Sequence, residues 1–254
     1  MEQWLIDGSG VSKYDTEEQE LFLYQHMRTK GGVIYHLKEH LQLLDSTSVK
    51  LFGQPSALTE RAINESCKNL ITRGGYSETA THIIELRLWQ SGRYQLRVIE
   101  TSLYKEFSLR VMRPKAMVAE GCNYPFSQPT SAALAMVNFM RQTALTEQCQ
   151  IAICLGENQA VLSVDGATPI VIHGTEITIG ESVTSVYSNI VATALKQLPN
   201  HTTTIRPILL SELERADELF YADARGITAV GSLGDIHYSD SVAYAVSKKI
   251  VLKK

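Results

Sequence analysis

His36 and His40 stand four residues apart, a spacing that puts two imidazoles on one face of a helix and suits a zinc ligand pair. They are the only such pair among seven histidines, and a structural role is the favoured reading. Amine chemistry is confined by a long gap, because no lysine occurs between Lys115 and Lys196. Asp165 is followed by Gly166 and reads as a solvated turn residue. Cys67, Cys122, Cys149 and Cys154 are scattered without metal-type pairing, and the last two lie on an apolar stretch where a thiol behaves as a small hydrophobe. The chain contains no Gly-x-Ser-x-Gly elbow, no Walker-type loop and no dinucleotide fingerprint.

At 254 residues the chain can bury a substantial core as one large domain or two intimate ones. Its 44% hydrophobic and 20% charged content is ordinary for a globular protein. A net charge of −3 gives no basic surface for nucleic acid. The basic pairs Lys248-Lys249 and Lys253-Lys254 suit the end of a helix dipole better than a partner. No apolar run approaches the ~20 residues of a membrane span, and Met1-Glu2-Gln3-Trp4 lacks a secretory pattern. The expectation is a cytoplasmic, reduced protein without nucleic-acid or membrane partners.

The elements that must position these groups follow from periodicity. Leu21–Met27 and Val33–His36 flank Gly31-Gly32 as a hairpin. Leu37, Leu41, Leu44, Val49 and Leu51-Phe52 approximate helical spacing up to Gly53, and Ser56 is placed to cap a second helix through Ile71. His82–Gln90 and Tyr94–Thr101, joined by Ser91-Gly92-Arg93, alternate as strands with one buried and one wet face. The pattern dissolves over residues 119–129, the expected linker between an N-terminal α+β domain (1–118) and a C-terminal α/β domain (130–254). Beyond it come a helix over Ser131–Thr146, strands at Gln150–Leu155, Ala160–Val164 and Thr168–His173, and a helix from about Thr184 to Leu198. A short acidic helix follows at Ser211–Arg215. Strands at Glu218–Ala222 and Ile227–Leu233 and a final helix from about Asp240 complete the pattern.

His36-Leu37-x-x-His40, Ala216-Asp217-Glu218-Leu219-Phe220 and Arg225-Gly226-Ile227-Thr228 occur in an order and spacing that resemble fold-type IV pyridoxal-phosphate (PLP) enzymes. That family includes branched-chain and D-amino-acid aminotransferases and aminodeoxychorismate lyase. The resemblance implies an α+β, two-domain D-amino-acid aminotransferase-like fold and a homodimer. It also implies three chemical positions, and each departs here. The phosphate-clamping arginine falls at Leu43, which reads as a core-facing helix residue. The Schiff-base lysine falls at Thr130 or at Glu120, depending on the alignment. The carboxylate for the pyridine nitrogen falls at Ser163, with Asp165 as a substitute under a register shift. Thr184 is a residual anion-binding candidate at a helix start. The expected protein is therefore a homologue with no PLP, non-catalytic or repurposed to bind a small anion through Arg28, Tyr35 and Arg225. Each of the two arginines taken alone reads as a solvated surface residue. The alternative is a PLP-dependent aminotransferase or lyase with Lys115 recruited as the amine.

Overall fold

The computed structural model describes residues 4–7, 10–13, 20–104, 106–120, 128–183 and 185–253. The chain divides into two compact units, Met1–Lys105 with Pro129–Ser131 and Leu252–Lys254, and Glu106–Gln128 with Ala132–Val251. The division falls ahead of the expected linker. Residues 115–118, placed from sequence at the end of the first domain, and Ala119, placed in the linker, form a strand that pairs with Ile151–Cys154 of the second unit. Pro129–Ser131 belongs to the first unit, where Thr130 bridges Leu23 and the Tyr24 amide donates to the Pro129 carbonyl at 2.9 Å.

The first unit is a six-stranded sheet with two helices. Its strands are β1 (Trp4–Asp7), β2 (Gly10–Lys13), β3 (Phe22–Lys30), β4 (Val33–Ile34), β5 (Thr81–Trp89) and β6 (Tyr94–Ser102), in the order β2-β1-β6-β5-β3-β4. Helix α1 (Leu37–Phe52) stops at Gly53, whose φ of 77° and amide bond to the Val49 carbonyl turn the chain out of the helix. Helix α2 (Glu60–Arg73) is capped by Thr59, whose hydroxyl accepts from the Ala62 amide at 3.2 Å. Ser56, the cap expected from sequence, gives its hydroxyl and amide to Asp45 instead. Leu23 and Met27 of β3, Ile84, Leu86 and Leu88 of β5, and Leu96 and Val98 of β6 pack with Leu41 and Leu44 of α1 and Ile63, Cys67, Leu70 and Ile71 of α2. Each such fully buried side chain contributes roughly 1.5–3 kcal/mol of transfer free energy. Period-two alternation sends Tyr24, His26, Arg28, Glu85, Arg87 and Arg97 to the opposite face. That face is not the wet one expected, since every residue of β5 is buried.

Among the described residues the second unit holds two five-stranded sheets and four α-helices. In chain order its elements are β7 (Lys115–Ala119), α3 (Ser131–Thr146), β8 (Ile151–Leu155), β9 (Val161–Val164), β10 (Ile170–His173), β11 (Glu176–Ile179), α4 (Val186–Leu195), β12 (Thr202–Ile205), α5 (Leu210–Leu213), β13 (Glu218–Asp223), β14 (Gly226–Ala229), β15 (Ser232–Leu233), β16 (Ile236–His237) and α6 (Ser241–Ser247). One sheet runs β12-β11-β10-β13-β14 and the other β16-β15-β7-β8-β9. Parallel β7 and β8 are joined by α3, the crossover that parallel pairing requires. Ile151, Ile153, Val161, Val164, Val171, Leu213, Leu219 and Tyr221 form the main core. Cys149 and Cys154 pack with Ala119, Ala144 and Ala152 in a smaller one, as small hydrophobes do. Asp240 is not the side-chain cap of α6. The buried Glu218 carboxylate accepts from the Val242 and Ala243 amides at 2.8 and 3.1 Å and fills that role from β13.

Candidate functional site

In the first unit Arg28 leaves β3 with a side chain that is 1% exposed, so it is not a solvated surface arginine. Its Nη2 donates to the Tyr104 carbonyl at 2.5 Å, and its own carbonyl accepts the Tyr35 amide at 3.0 Å. Arg28 and half-buried Tyr35 are thus neighbours across the β3–β4 hairpin. Leu43 is half-buried and lies outside the apolar cluster; the core position on that turn of α1 belongs to Leu44, 0% exposed. Thr130 is completely buried. His36 precedes α1 in the left-handed region with a φ of 55°, and its Nε2 accepts the Lys253 amide at 3.0 Å while its own amide donates to the Lys253 carbonyl. His40 Nδ1 bonds to Gln25 Oε1 at 2.8 Å. Burial, with the charges of His36 and His26 adding to it, lowers the His40 pKa to about 3, so the ring is neutral and Nδ1 is the donor. Both rings are thus engaged in holding the fold, and no cluster of three metal-type side chains occurs among the described residues.

The opposite face of the same sheet carries a charge network that residue spacing did not announce. Glu85 Oε1 accepts from Arg87 Nε at 2.5 Å and Arg97 Nε at 2.8 Å, and Oε2 lies 2.9 Å from His26 Nε2. Burial pushes this carboxyl up. The His26 hydrogen bond and the charges of His26, Arg97 and Arg87 outweigh it and bring the pKa down to about 2. Arg87 also lies over the Phe22 ring at 4.4 Å.

In the second unit two of the sequence candidates, Asp165 and Arg225, fall within one polar cluster around Arg141. Asp165 and Gly166, with φ of 53° and 81°, make the two-residue turn after β9. Asp165 is no solvated turn residue, because its side chain is 9% exposed and gripped by Arg141 through Nε at 2.6 Å and Nη2 at 3.0 Å. Tyr221 on β13 donates its hydroxyl to Asp165 Oδ2 at 3.2 Å. Burial drives the Tyr221 pKa well above its ordinary value, helped by Asp165 and Asp223. Burial would lower the Arg141 pKa, but the hydrogen bond and charge of Asp165 raise it. Arg225, at the β13–β14 turn, is held by Asp223, whose Oδ1 accepts its amide at 2.7 Å and whose Oδ2 accepts Nη1 at 2.9 Å. Arg110 Nη1 donates to the Thr228 hydroxyl at 3.2 Å. Ser163 is completely buried, and its hydroxyl has no hydrogen-bond partner among the described residues. Glu120 is exposed. Thr184 lies outside the described residues; the neighbouring Ser185 caps α4 by accepting the Tyr187 amide at 3.2 Å.

Arg110, Arg141, Asp223 and Tyr221 were not singled out from sequence. Arg141 had a readable signal, being the only charged residue in the sixteen-residue helix α3. Tyr221 and Arg110 had none, because their partners lie 56 and 118 residues away.

The profile of the amino-transferase class IV family matches residues 23–233. No curated protein matches the chain. Solved structures share its fold at low identity. A fold IV transaminase from Curtobacterium pusillum superposes with a TM-score of 0.76 at 15% identity, over 98% of this chain and 95% of that one. An aminotransferase from Brucella abortus bound to the cofactor PLP gives 0.78 at 10% identity, over 98% and 97%. The Escherichia coli branched-chain amino acid aminotransferase gives 0.78 at 13% identity, over 98% and 93%.

Proposed function

Because the chain belongs to the amino-transferase class IV family, with the fold-type IV architecture, we propose that it is a member that forms no Schiff base with PLP and binds a small anion without transaminase chemistry. The observation that carries this reading is the missing amine. Neither position expected for the lysine has one, since Thr130 is a buried hydroxyl and Glu120 an exposed carboxylate. The lysines that bound the gap stand elsewhere, Lys115 exposed at the start of β7 and Lys196 exposed at the end of α4. PLP, when bound in a relative, serves as an electron sink for carbanion chemistry. The residues here do not fit that group. The unpartnered Ser163 hydroxyl cannot supply the negative charge that holds a pyridinium proton, and Leu43 brings no cation for a phosphate.

Anion binding rests on the charge balance of the second-unit cluster. Arg110, Arg141 and Arg225 face two carboxylates, Asp165 and Asp223, which engage Arg141 and Arg225. Among the described residues Arg110 is the cation without a carboxylate in this cluster, with a neutral hydroxyl as partner. A small carboxylate or phosphate would balance it by a charge-assisted bond. Arg28 and Tyr35 remain first-unit candidates for the same chemistry. We further infer a homodimer in a reducing cytoplasm.

The decisive experiment is incubation of the protein with PLP, visible spectroscopy, borohydride reduction and peptide mass spectrometry. The expected result is no aldimine band and no pyridoxyl adduct. A stoichiometric adduct on Lys115 would replace this reading with that of a PLP enzyme using a relocated lysine.

A further inference from the structure

The sheet β16-β15-β7-β8-β9 contains a notch. Strand β15 is two residues long and pairs only with Lys115 and Ala116, while β7 runs on to Ala119. The Lys115 carbonyl accepts the Gln150 amide at 2.9 Å, so the main-chain groups of Lys115 turn toward β8. Alternation along a strand then turns those of Ala116 and Val118 toward β15. But β15 ends at Leu233, and Gly234, with a φ of 57°, leads the chain away. Val118 therefore presents its N–H and C=O to the notch with no ladder partner among the described residues.

A cavity of about 600 Å³ occupies this place, within the size range of ligand pockets. Its apolar wall includes Leu210, Leu233 and Ile236. Its charged wall is Lys115, Glu147 and Glu214, all exposed and none in a salt bridge with a described residue. The balance is one negative charge in excess. The cavity is reached from both faces of the sheet, since Thr143 and Glu147 come from the α3 side, and Leu210 and Glu214 from the α5 side.

We propose that the notch is a binding site for an extended peptide segment, which continues the sheet beside β7 where β15 stops short. The segment takes main-chain hydrogen bonds from Val118, lays an apolar side chain against Leu210, Leu233 and Ile236, and directs a basic side chain to Glu147 or Glu214. Main-chain pairing supplies affinity in this mode of recognition, and the side-chain surroundings supply selectivity. An open strand edge is otherwise a hazard that folds cover. The site is independent of the anion-binding reading.

The test uses the full chain and two end-blocked six-residue peptides, one alternating valine with lysine and the other valine with glutamate. Fluorescence anisotropy should show saturable binding of the lysine peptide and weaker binding of the glutamate peptide. Amide resonances of Val118 and of Leu233–Ile236 should shift on titration. Val118→Pro removes an N–H that has no ladder partner among the described residues, together with part of a side chain that packs on the core; edge positions tolerate proline, and the substitution should weaken binding about fivefold, as loss of one hydrogen bond does. The double substitution Glu147→Gln with Glu214→Gln should abolish the preference between the two peptides. Absence of saturable binding at millimolar peptide, or resonance shifts confined to other parts of the chain, would overturn the proposal. Hexylamine binding with the same footprint, together with peptide affinity unchanged by Val118→Pro, would make the notch a small-amine pocket and also overturn it. Should Val118→Pro fail to fold, the resonance map and the charge variants decide alone.

Discussion

Glu85 is the residue on which the first unit's charge network turns. With its pKa held near 2 in the fold against an ordinary 4.5, it contributes stability that is present above pH 4.5 and lost as the pH falls toward 2. Glu85→Gln leaves buried Arg87 and half-buried Arg97 without their carboxylate, and should cost about 3–5 kcal/mol in urea unfolding at pH 7. His40 acts over a higher pH window. Its pKa is depressed to about 3, so between pH 6.5 and 3 the unfolded chain binds a proton that the native ring refuses. Stability should fall with pH there by up to about 1.4 kcal/mol per unit. Imidazole NMR checks this directly, since the His40 ring should remain neutral at pH 5. In the second unit Arg110 is the predicted anion ligand. Phosphate at 100 times its dissociation constant should stabilise the native protein by about 2.7 kcal/mol, and Arg110→Gln should remove that gain without altering stability in its absence.

At the scale of elements, the β13–β14 turn is held by a glycine. Gly226 has a φ of +134°, and a Cβ there would meet the Ser108 carbonyl oxygen at 2.5 Å. Gly226→Ala should therefore cost about 3 kcal/mol, read from the denaturant midpoint, by adding backbone strain to a contact that must be displaced. The turn was legible as Arg225-Gly226, and so were α1, α3 and the β5–β6 hairpin, because periodicity writes them locally. The strands Trp4–Asp7, Gly10–Lys13, Thr202–Ile205 and Ile236–His237 have no such local signal. Each is four residues or fewer, and each is created by a neighbour it cannot name, as β12 is by parallel pairing with β11. The candidate site was half legible. Ser163, Asp165 and Arg225 could be found from family spacing, but the Arg141 clamp on Asp165 joins residues 24 apart through a fold-dependent contact. Burial was misjudged for the same reason at Arg28, whose β-face position gave no hint of a 1% exposure.

For the whole molecule, the relevant question is how copies associate. The hairpin from Leu86 to Val98 offers an apolar strand face in sequence, but Leu86, Leu88, Leu96 and Val98 spend that face on α1 and α2. The charged side is largely buried too, with Glu85 and Arg87 enclosed, so a dimer through this hairpin would reach that side only at half-buried Arg97. Such an interface would be polar, and its affinity should weaken with salt. Light scattering should give a dimer at micromolar concentration in low salt; a monomer there would count against dimerisation. No helix among the described residues is long and apolar enough to cross a membrane.

The clamp between His36 and Lys253 has a consequence for how the protein is made. The first unit is built mainly from the early part of the chain, yet its His36 is held by Lys253, which is translated 217 residues later. Domains generally fold in the order of translation, and here that order is inverted at the finish. Residues 106–251 are all available before the start of α1 receives its partner. The first unit of the nascent chain must wait, incomplete at His36, until Lys253 has left the ribosome.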